Sequence, residues 1–185
     1  MYYFGIDLGG TNVAAAAVDE KGNLLGKASL PTPRGAERVA DQMAAAVEAA
    51  ARAAGVTVSG AEAVGVGSPG AIDPENGVVD FWSNLDFEDV PLGKMMNTRL
   101  GKQVFLENDA NAAALGEYVA GAGKGSRSLV LVTLGTGVGG GAVLNGRLYT
   151  GFNHAGLEVG HMVIQHNGRP CTCGRLGCFE AYCSA

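Results

Sequence analysis

The sequence predicts an α/β protein built as two similar domains. Apolar runs of strand length alternate with stretches of helical period. A strand, a glycine-rich turn and a second strand occur at residues 2–18 and again at 128–144. The 30 glycines cluster beside these apolar runs, where the backbone has to turn sharply or approach a ligand closely. A pattern given twice favours two facing domains over one doubly wound sheet.

In order, YYFGIDL at 2–8 reads as a buried strand, Gly9-Gly10-Thr11 as a turn, 13–18 as a second strand closed by Lys21-Gly22-Asn23, and 24–30 as a third. Between Ala36 and Ala54 the apolar Val39, Met43, Val47 and Ala50 or Ala51 recur at helical spacing, with Arg38, Asp41, Glu48 and Arg52 mostly elsewhere. That spacing predicts an amphipathic helix ended by Gly55. A strand at 63–67, a helix at 92–100, a strand at 103–106 and a helix at 108–119 follow, the last capped by Asn108 or Asp109. The run SLVLVTLGTGVGGGAVLNG at 128–146 restarts the opening pattern and ends in an Asn-Gly hairpin signal. The domains are expected at 1–120 and 121–185, the second cut short and lacking much of its sheet and covering helices.

A hydrophobic content of 47% supplies a core, and a net charge of -5 without Lys/Arg runs argues against nucleic acid as a partner. No apolar segment reaches the ~20 residues that span a bilayer, and the N-terminus lacks a secretion-signal pattern. No membrane partner and a cytoplasmic location are expected. All four cysteines and two of the three histidines lie within residues 160–185, either around a metal or by accident. Cys171 and Cys173 are too close to pair with each other, so the thiols are ligands or simply buried.

Three glycine stretches are weaker than they look. Gly135 to Gly140 fits a dinucleotide fingerprint, but a strand follows where a helix is needed. GVGSPG at 65–70 reads as a plain loop and GAGKGS at 121–126 as a flexible linker. The two hairpin loops can present backbone N–H groups to phosphate oxygens, or can be ordinary turns. Asp7, at the end of the first strand, faces the same place, and a carboxylate beside a phosphate loop makes sense chiefly with Mg2+ between them.

Asp7-Leu-Gly9-Gly10-Thr11-Asn12, Glu107-Asn108-Asp109-Ala-Asn111-Ala112-Ala-Ala-Leu-Gly116-Glu117, Leu134-Gly135-Thr136-Gly137-Val-Gly139-Gly140-Gly141, Glu158-Val-Gly160-His161 and Cys171-Thr-Cys173-Gly174-Arg-Leu-Gly177-Cys178-Phe-Glu180 occur in that order. Together they resemble the ROK family (repressors, open reading frames and kinases), whose enzymes are sugar kinases. The resemblance implies an actin-like, ribonuclease H-like two-domain sugar kinase fold, here with an incomplete second domain. It implies ATP with Mg2+ as phosphoryl donor, a hexose as acceptor, and a homodimer or higher homo-oligomer. Asp7, Gly9, Gly10, Thr11, Asn12, Gly135, Thr136, Gly137 and Gly139 match nucleotide-binding positions. Gly70, Asn84, Asn108, Asp109, Glu158, His161 and Glu180 match sugar-contacting ones. Asp109 is the candidate base, with a helix cap as its alternative role. His161, Cys171, Cys173 and Cys178, spaced H-x9-C-x-C-x4-C, match the family's structural zinc site. Cys183 has no counterpart there and is expected as a buried helical thiol. His154, Leu157 and Asn12 depart from residues common in relatives.

Phosphorylation at the 6-hydroxyl, glucokinase-like, is the expected activity, with N-acetylmannosamine, N-acetylglucosamine, fructose or allose as other acceptors. A sugar-responsive repressor of the same family would carry a DNA-binding segment ahead of the Asp7 motif, for which the sequence leaves no room. A third expectation is a sugar- and zinc-binding chain without catalysis, because family members are longer and the missing part holds the adenosine contacts.

Overall fold

The computed structural model describes all residues from Met1 to Ala185. They form two compact units, Met1–Ala112 and Ala113–Ala185. In the first, β1 (Tyr2–Leu8), β2 (Asn12–Asp19), β3 (Leu24–Pro31), α1 (Ala36–Ala54) and β4 (Val64–Ser68) are followed by β5 (Ala71–Asp73), β6 (Val78–Trp82), β7 (Phe87–Val90), α2 (Leu92–Leu100) and β8 (Val104–Asn108). The main sheet has the order β3-β2-β1-β4-β8. Its first three strands run antiparallel, while β1, β4 and β8 run parallel.

The alternation in β1 decides which face is which. Phe4, Ile6 and Leu8 are buried, so Gly5 and Asp7 stand on the opposite side. Alanines at 15 and 17 on β2 are buried too, and α1 packs on β2 and β3 through Val39, Met43, Ala46, Val47 and Ala50. The approach is close: a Cβ on Gly26 of β3 would lie 2.5 Å from the Ala54 nitrogen. Gly55, at φ 68°, ends α1, with Gly55 N–H donating to the Arg52 carbonyl and Val56 N–H to Ala51. This pair of bonds is a Schellman stop. From α2, Arg99 pairs with Glu37 at 2.6 Å and Asp41 at 2.8 Å on α1.

Residues 71–90 hold an antiparallel sheet, β5-β6-β7, for which the sequence pattern predicts no element. It is held by Trp82 against Phe87, edge to face at 5.8 Å. Two other expectations are corrected. The first four residues of GVGSPG belong to strand β4, which lies between β1 and β8, rather than to a loop. GAGKGS is a run of hydrogen-bonded turns rather than a flexible linker: Gly121 and Gly123 N–H donate to the Glu117 carbonyl, and Ala122 N–H to the Glu117 carboxylate.

Helix α3 (Asp109–Val119) starts in the first unit and runs into the second. The second unit then carries β9 (Leu129–Leu134), β10 (Val138–Leu144), β11 (Arg147–Tyr149) and the short α4 (Glu180–Cys183). Its sheet order, β11-β10-β9, repeats the β3-β2-β1 order of the first unit, so the sequence repeat extends to a third strand. Asn145 and Gly146, at φ 51° and 81°, form the two-residue turn that Asn-Gly favours.

Candidate active site and metal centre

In the first unit the carboxyl ends of the parallel strands bring the candidate residues together. Asp7 of β1 lies in register with Gly67 of β4, and Gly67 with Glu107 of β8. Helix α3 begins at the next residue but one. Gly67 lets its first turn lie against β4, since a Cβ there would already be 3.5 Å from Asp109 Cα and 3.4 Å from Ala112 Cβ. Asn108 caps the helix, its Oδ1 accepting the Ala110 and Asn111 N–H at 3.0 and 3.2 Å. Asp109 Oδ1 also takes the Ala110 N–H, at 2.8 Å, while its other oxygen carries no hydrogen bond from the protein. Burial first, and then the charge of Asp109, hold the Asp7 carboxyl above its ordinary value. Two acids held this close form a site for cationic or proton-donating ligands.

Two residues here lie outside the candidates that the sequence singles out. Glu107 Oε1 accepts the Asn108 N–H at 2.9 Å and Asn111 Nδ2 at 3.1 Å, and Asn111 is buried. They fix the strand-to-helix junction that carries Asn108 and Asp109. Glu107 lies in β8 and Asn111 in α3, so no single period of the sequence links the pair.

The first glycine loop is pinned from behind. Gly9 N–H donates to the Asn12 carbonyl, and Thr32 holds Gly9 and Thr11 through its hydroxyl and N–H at 2.7 and 2.9 Å. The Gly10 and Thr11 N–H groups stay unbonded at the exposed tip. A Cβ on Gly10 would lie 3.8 Å from the Trp82 ring and 3.9 Å from Asn84 Nδ2, so this tip and Asn84 are neighbours. Gly70, at φ 97°, sits on β6, where a Cβ would run into the Phe81 carbonyl oxygen. In the second unit the tip Gly135-Thr136-Gly137 is closed by Gly135 N–H to the Gly137 carbonyl at 2.9 Å, leaving the Thr136 and Gly137 N–H groups free. Gly139 lies beyond the tip, within β10 and opposite Thr133, and Asn12 likewise opens β2 opposite Pro31.

The cysteine loop gathers four ligands. His161 Nδ1 and the sulfurs of Cys171, Cys173 and Cys178 all lie within 4.8 Å of one another. Cys171 Sγ is 3.8 Å from His161 Nδ1, and Cys173 Sγ is 3.7 Å from Cys178 Sγ. Zinc–ligand bonds of about 2.3 Å to sulfur and about 2.0 Å to nitrogen give tetrahedral edges of about 3.5–3.8 Å, so these two pairs stand near the required separation and one His with three Cys is the donor set that ion takes. The Arg175 backbone N–H, then its guanidinium, lower the Cys173 thiol to about 6, while burial and the neighbouring thiols push Cys178 up to about 11. Arg175 also donates to the His161 carbonyl at 3.1 Å. Gly174 and Gly177 take positive φ in the turns between ligands, and a Cβ on Gly177 would run into the Gln165 carbonyl oxygen. With Nδ1 turned to the sulfurs, the opposite ring nitrogen Nε2 faces away from them. Glu158 precedes the short 3-10 turn Val159–His161, its carbonyl accepting the His161 N–H at 3.0 Å. Glu180 opens α4, bonded to Val138 and Thr172. Cys183 corrects an expectation: it is exposed, because a four-residue helix has too little length to bury a face.

The model of the ROK family matches residues 3–185. This chain belongs to the ROK family. It is 47% identical over 187 residues to a glucokinase of Thermotoga maritima, covering 98% of this chain and 56% of that protein. A solved ROK family glucokinase from Streptomyces griseus, in complex with glucose and AMPPNP, superposes with a TM-score of 0.88 at 41% identity over 100% of this chain and 57% of that one. A xylose repressor of Bacillus subtilis is 40% identical over 121 residues, 65% of this chain and 31% of that protein. The chain thus spans little more than half the length of the glucokinases it matches, and its fold is their actin-like α/β fold.

His154 and Leu157 stand just before the Glu158-Val-Gly160-His161 motif at φ 59° and 65°, a left-handed backbone that glycine adopts freely and side-chain-bearing residues seldom do. His154 Nδ1 is moreover buried without a partner. No helix of the chain is long and apolar enough to cross a membrane.

Proposed function

We propose that this protein phosphorylates the 6-hydroxyl of a hexose, glucose first among candidates, with ATP as donor. The observation that carries the reading is Asp109: it opens a helix at the carboxyl ends of the parallel strands, one oxygen held and the other open, with Asp7 close by. Phosphoryl transfer asks the protein mainly for positioning, charge stabilisation and a proton acceptor. The free oxygen of Asp109 accepts the proton of the attacking hydroxyl. In the first unit Gly70, Asn84 and Asn108 offer polar contacts to the sugar, and in the second Glu158, His161 Nε2 and Glu180 do so. The free N–H groups of Gly10, Thr11, Thr136 and Gly137 bind phosphate oxygens, with Gly9, Asn12, Gly135 and Gly139 shaping the hairpins around them. Asp7 holds Mg2+ through its water shell, and the ion, bound with ATP, neutralises phosphate charge.

His161, Cys171, Cys173 and Cys178 hold zinc, which their donor chemistry and their gathering within 4.8 Å of one another support. Four protein ligands leave no position for an activated water, so the metal's role is to order the loop that carries His161 and Glu180. A homo-oligomer belongs to the same reading, while the exposed Val130, Val132 and Leu134 on one face of β9 match the face that an incomplete second domain leaves uncovered. Cytoplasmic location and a place in carbohydrate metabolism follow from the same reading.

The test is formation of sugar phosphate from glucose and ATP in a coupled assay with the purified protein, alongside a direct measurement of glucose binding. Turnover supports the kinase. Similarity to a xylose repressor favours a second reading, a sugar-responsive regulator. Glucose or xylose bound without turnover from ATP, ADP or polyphosphate would decide for that reading or for a binding chain without catalysis.

A further inference from the structure

Glu180 does more in the second unit than a sugar contact requires. Its Oε2 accepts the N–H of Val138, the first residue of β10 after the glycine tip, at 3.0 Å. Its Oε1 accepts the Thr172 hydroxyl at 3.2 Å and lies 3.7 Å from Cys171 Sγ. One carboxylate thus bonds the glycine turn with one oxygen and the cysteine loop with the other. The fit depends on Gly137, because a Cβ there would come within 2.8 Å of Oε2. Two more contacts join the same parts. Ala185 N–H, just past α4, donates to the Gly135 carbonyl at 2.8 Å, and Gly160, beside His161, lies so close to β10 that a Cβ would be 3.0 Å from Val138 Cβ.

We propose that Glu180 is a positioning residue that ties the Gly135–Val138 turn to the cysteine loop, so that the order of that loop sets the aim of the free Thr136 and Gly137 N–H groups. A charge-assisted bond from a backbone N–H to a carboxylate is among the stronger hydrogen bonds available, and here it fixes a turn whose glycines otherwise resist few rotations. Metal binding, by ordering Cys171 and Thr172, then reaches the turn through one side chain. The consequence for nucleotide binding rests on the phosphate-binding role proposed above for this turn; the mechanical link does not.

The experiment follows hydrogen exchange at the Val138 amide, with metal content measured in parallel, in the wild-type protein, E180A, E180Q, G137A and chelated wild type. Mg–ATP affinity is titrated in the same samples. E180A and G137A are expected to speed Val138 exchange at least tenfold while zinc is retained, and chelation to do the same. E180Q, whose amide oxygen still accepts from Val138 N–H and whose NH2 can meet the Thr172 hydroxyl, is expected to restore protection. Equal protection of Val138 in E180A and wild type overturns the clamp. Protection that survives verified loss of metal overturns the coupling to the cysteine loop. Faster exchange with unchanged Mg–ATP affinity leaves the clamp standing and removes the phosphate-binding role of the turn.

Discussion

Asp109→Asn separates the proposed chemistry from the fold. The helix start survives the change, because Asn108 Oδ1 holds both the Ala110 and Asn111 N–H, and the amide oxygen introduced by the substitution can still take the Ala110 N–H now bonded at 2.8 Å. Loss of a carboxylate from the first turn costs about 0.3–1 kcal/mol in helix-dipole interaction. Relief of the repulsion felt by Asp7 offsets part of it. The net change in stability is therefore expected to stay within about 1 kcal/mol. Removal of a positioned base is expected to lower kcat by about 10²–10⁴-fold, or about 3–5 kcal/mol of barrier. Thermal unfolding, glucose binding and the coupled assay on one preparation read all three quantities. A variant that binds glucose and turns over at near wild-type rate refutes Asp109 as base. One that unfolds several kcal/mol more easily shows instead that the residue is chiefly a cap.

Three further outcomes follow from the same geometry. Asp7→Asn is expected to weaken Mg–ATP binding yet stabilise the fold at pH 7 by no more than ~0.5 kcal/mol, seen as a small rise in melting temperature, because solvent still reaches part of the carboxylate and screens it. Because the folded Asp7 pKa is raised, its cost is absent below the unfolded value of 3.8 and grows as pH rises through the folded value, so the melting difference should vanish in acid. Cys178→Ser should lower metal stoichiometry and loosen protease resistance across 161–183 without unfolding the first unit; full metal retention would speak against the four-ligand site. His154→Gly removes a left-handed φ from a side-chain-bearing residue and a buried unpartnered nitrogen, and a gain of ~1 kcal/mol in thermal unfolding is expected. A loss of stability would show that the imidazole makes contacts that outweigh both costs.

Local patterns made much of this legible. Helix α1 runs from Ala36 to Ala54 as its spacing predicts, because one apolar stripe and a terminal glycine determine it with little help from elsewhere. The Asn145-Gly146 turn follows from two residues that tolerate positive φ, whereas Gly9 and Gly137 in the two hairpin tips leave room for the Asn12 carbonyl and the Glu180 carboxylate. The β5-β6-β7 sheet was not legible: its strands are three to five residues long, β5 and β6 shift register between Ala71 and Ile72, and Asp86 and Asp89 take left-handed φ where glycine would have announced a turn. The bond from Val138 to Glu180 spans 42 positions, and no local period encodes such a contact. GAGKGS reads as a linker because glycine composition does not reveal that Glu117 reaches forward to close it.

The most direct test of the central claim is phosphorus NMR of the protein incubated with glucose, ATP and Mg2+. The account predicts a growing glucose 6-phosphate resonance in step with ADP, abolished in Asp109→Asn. Glucose bound at saturating occupancy with the ATP resonances unchanged, or a phosphate ester at any other hydroxyl, would contradict it.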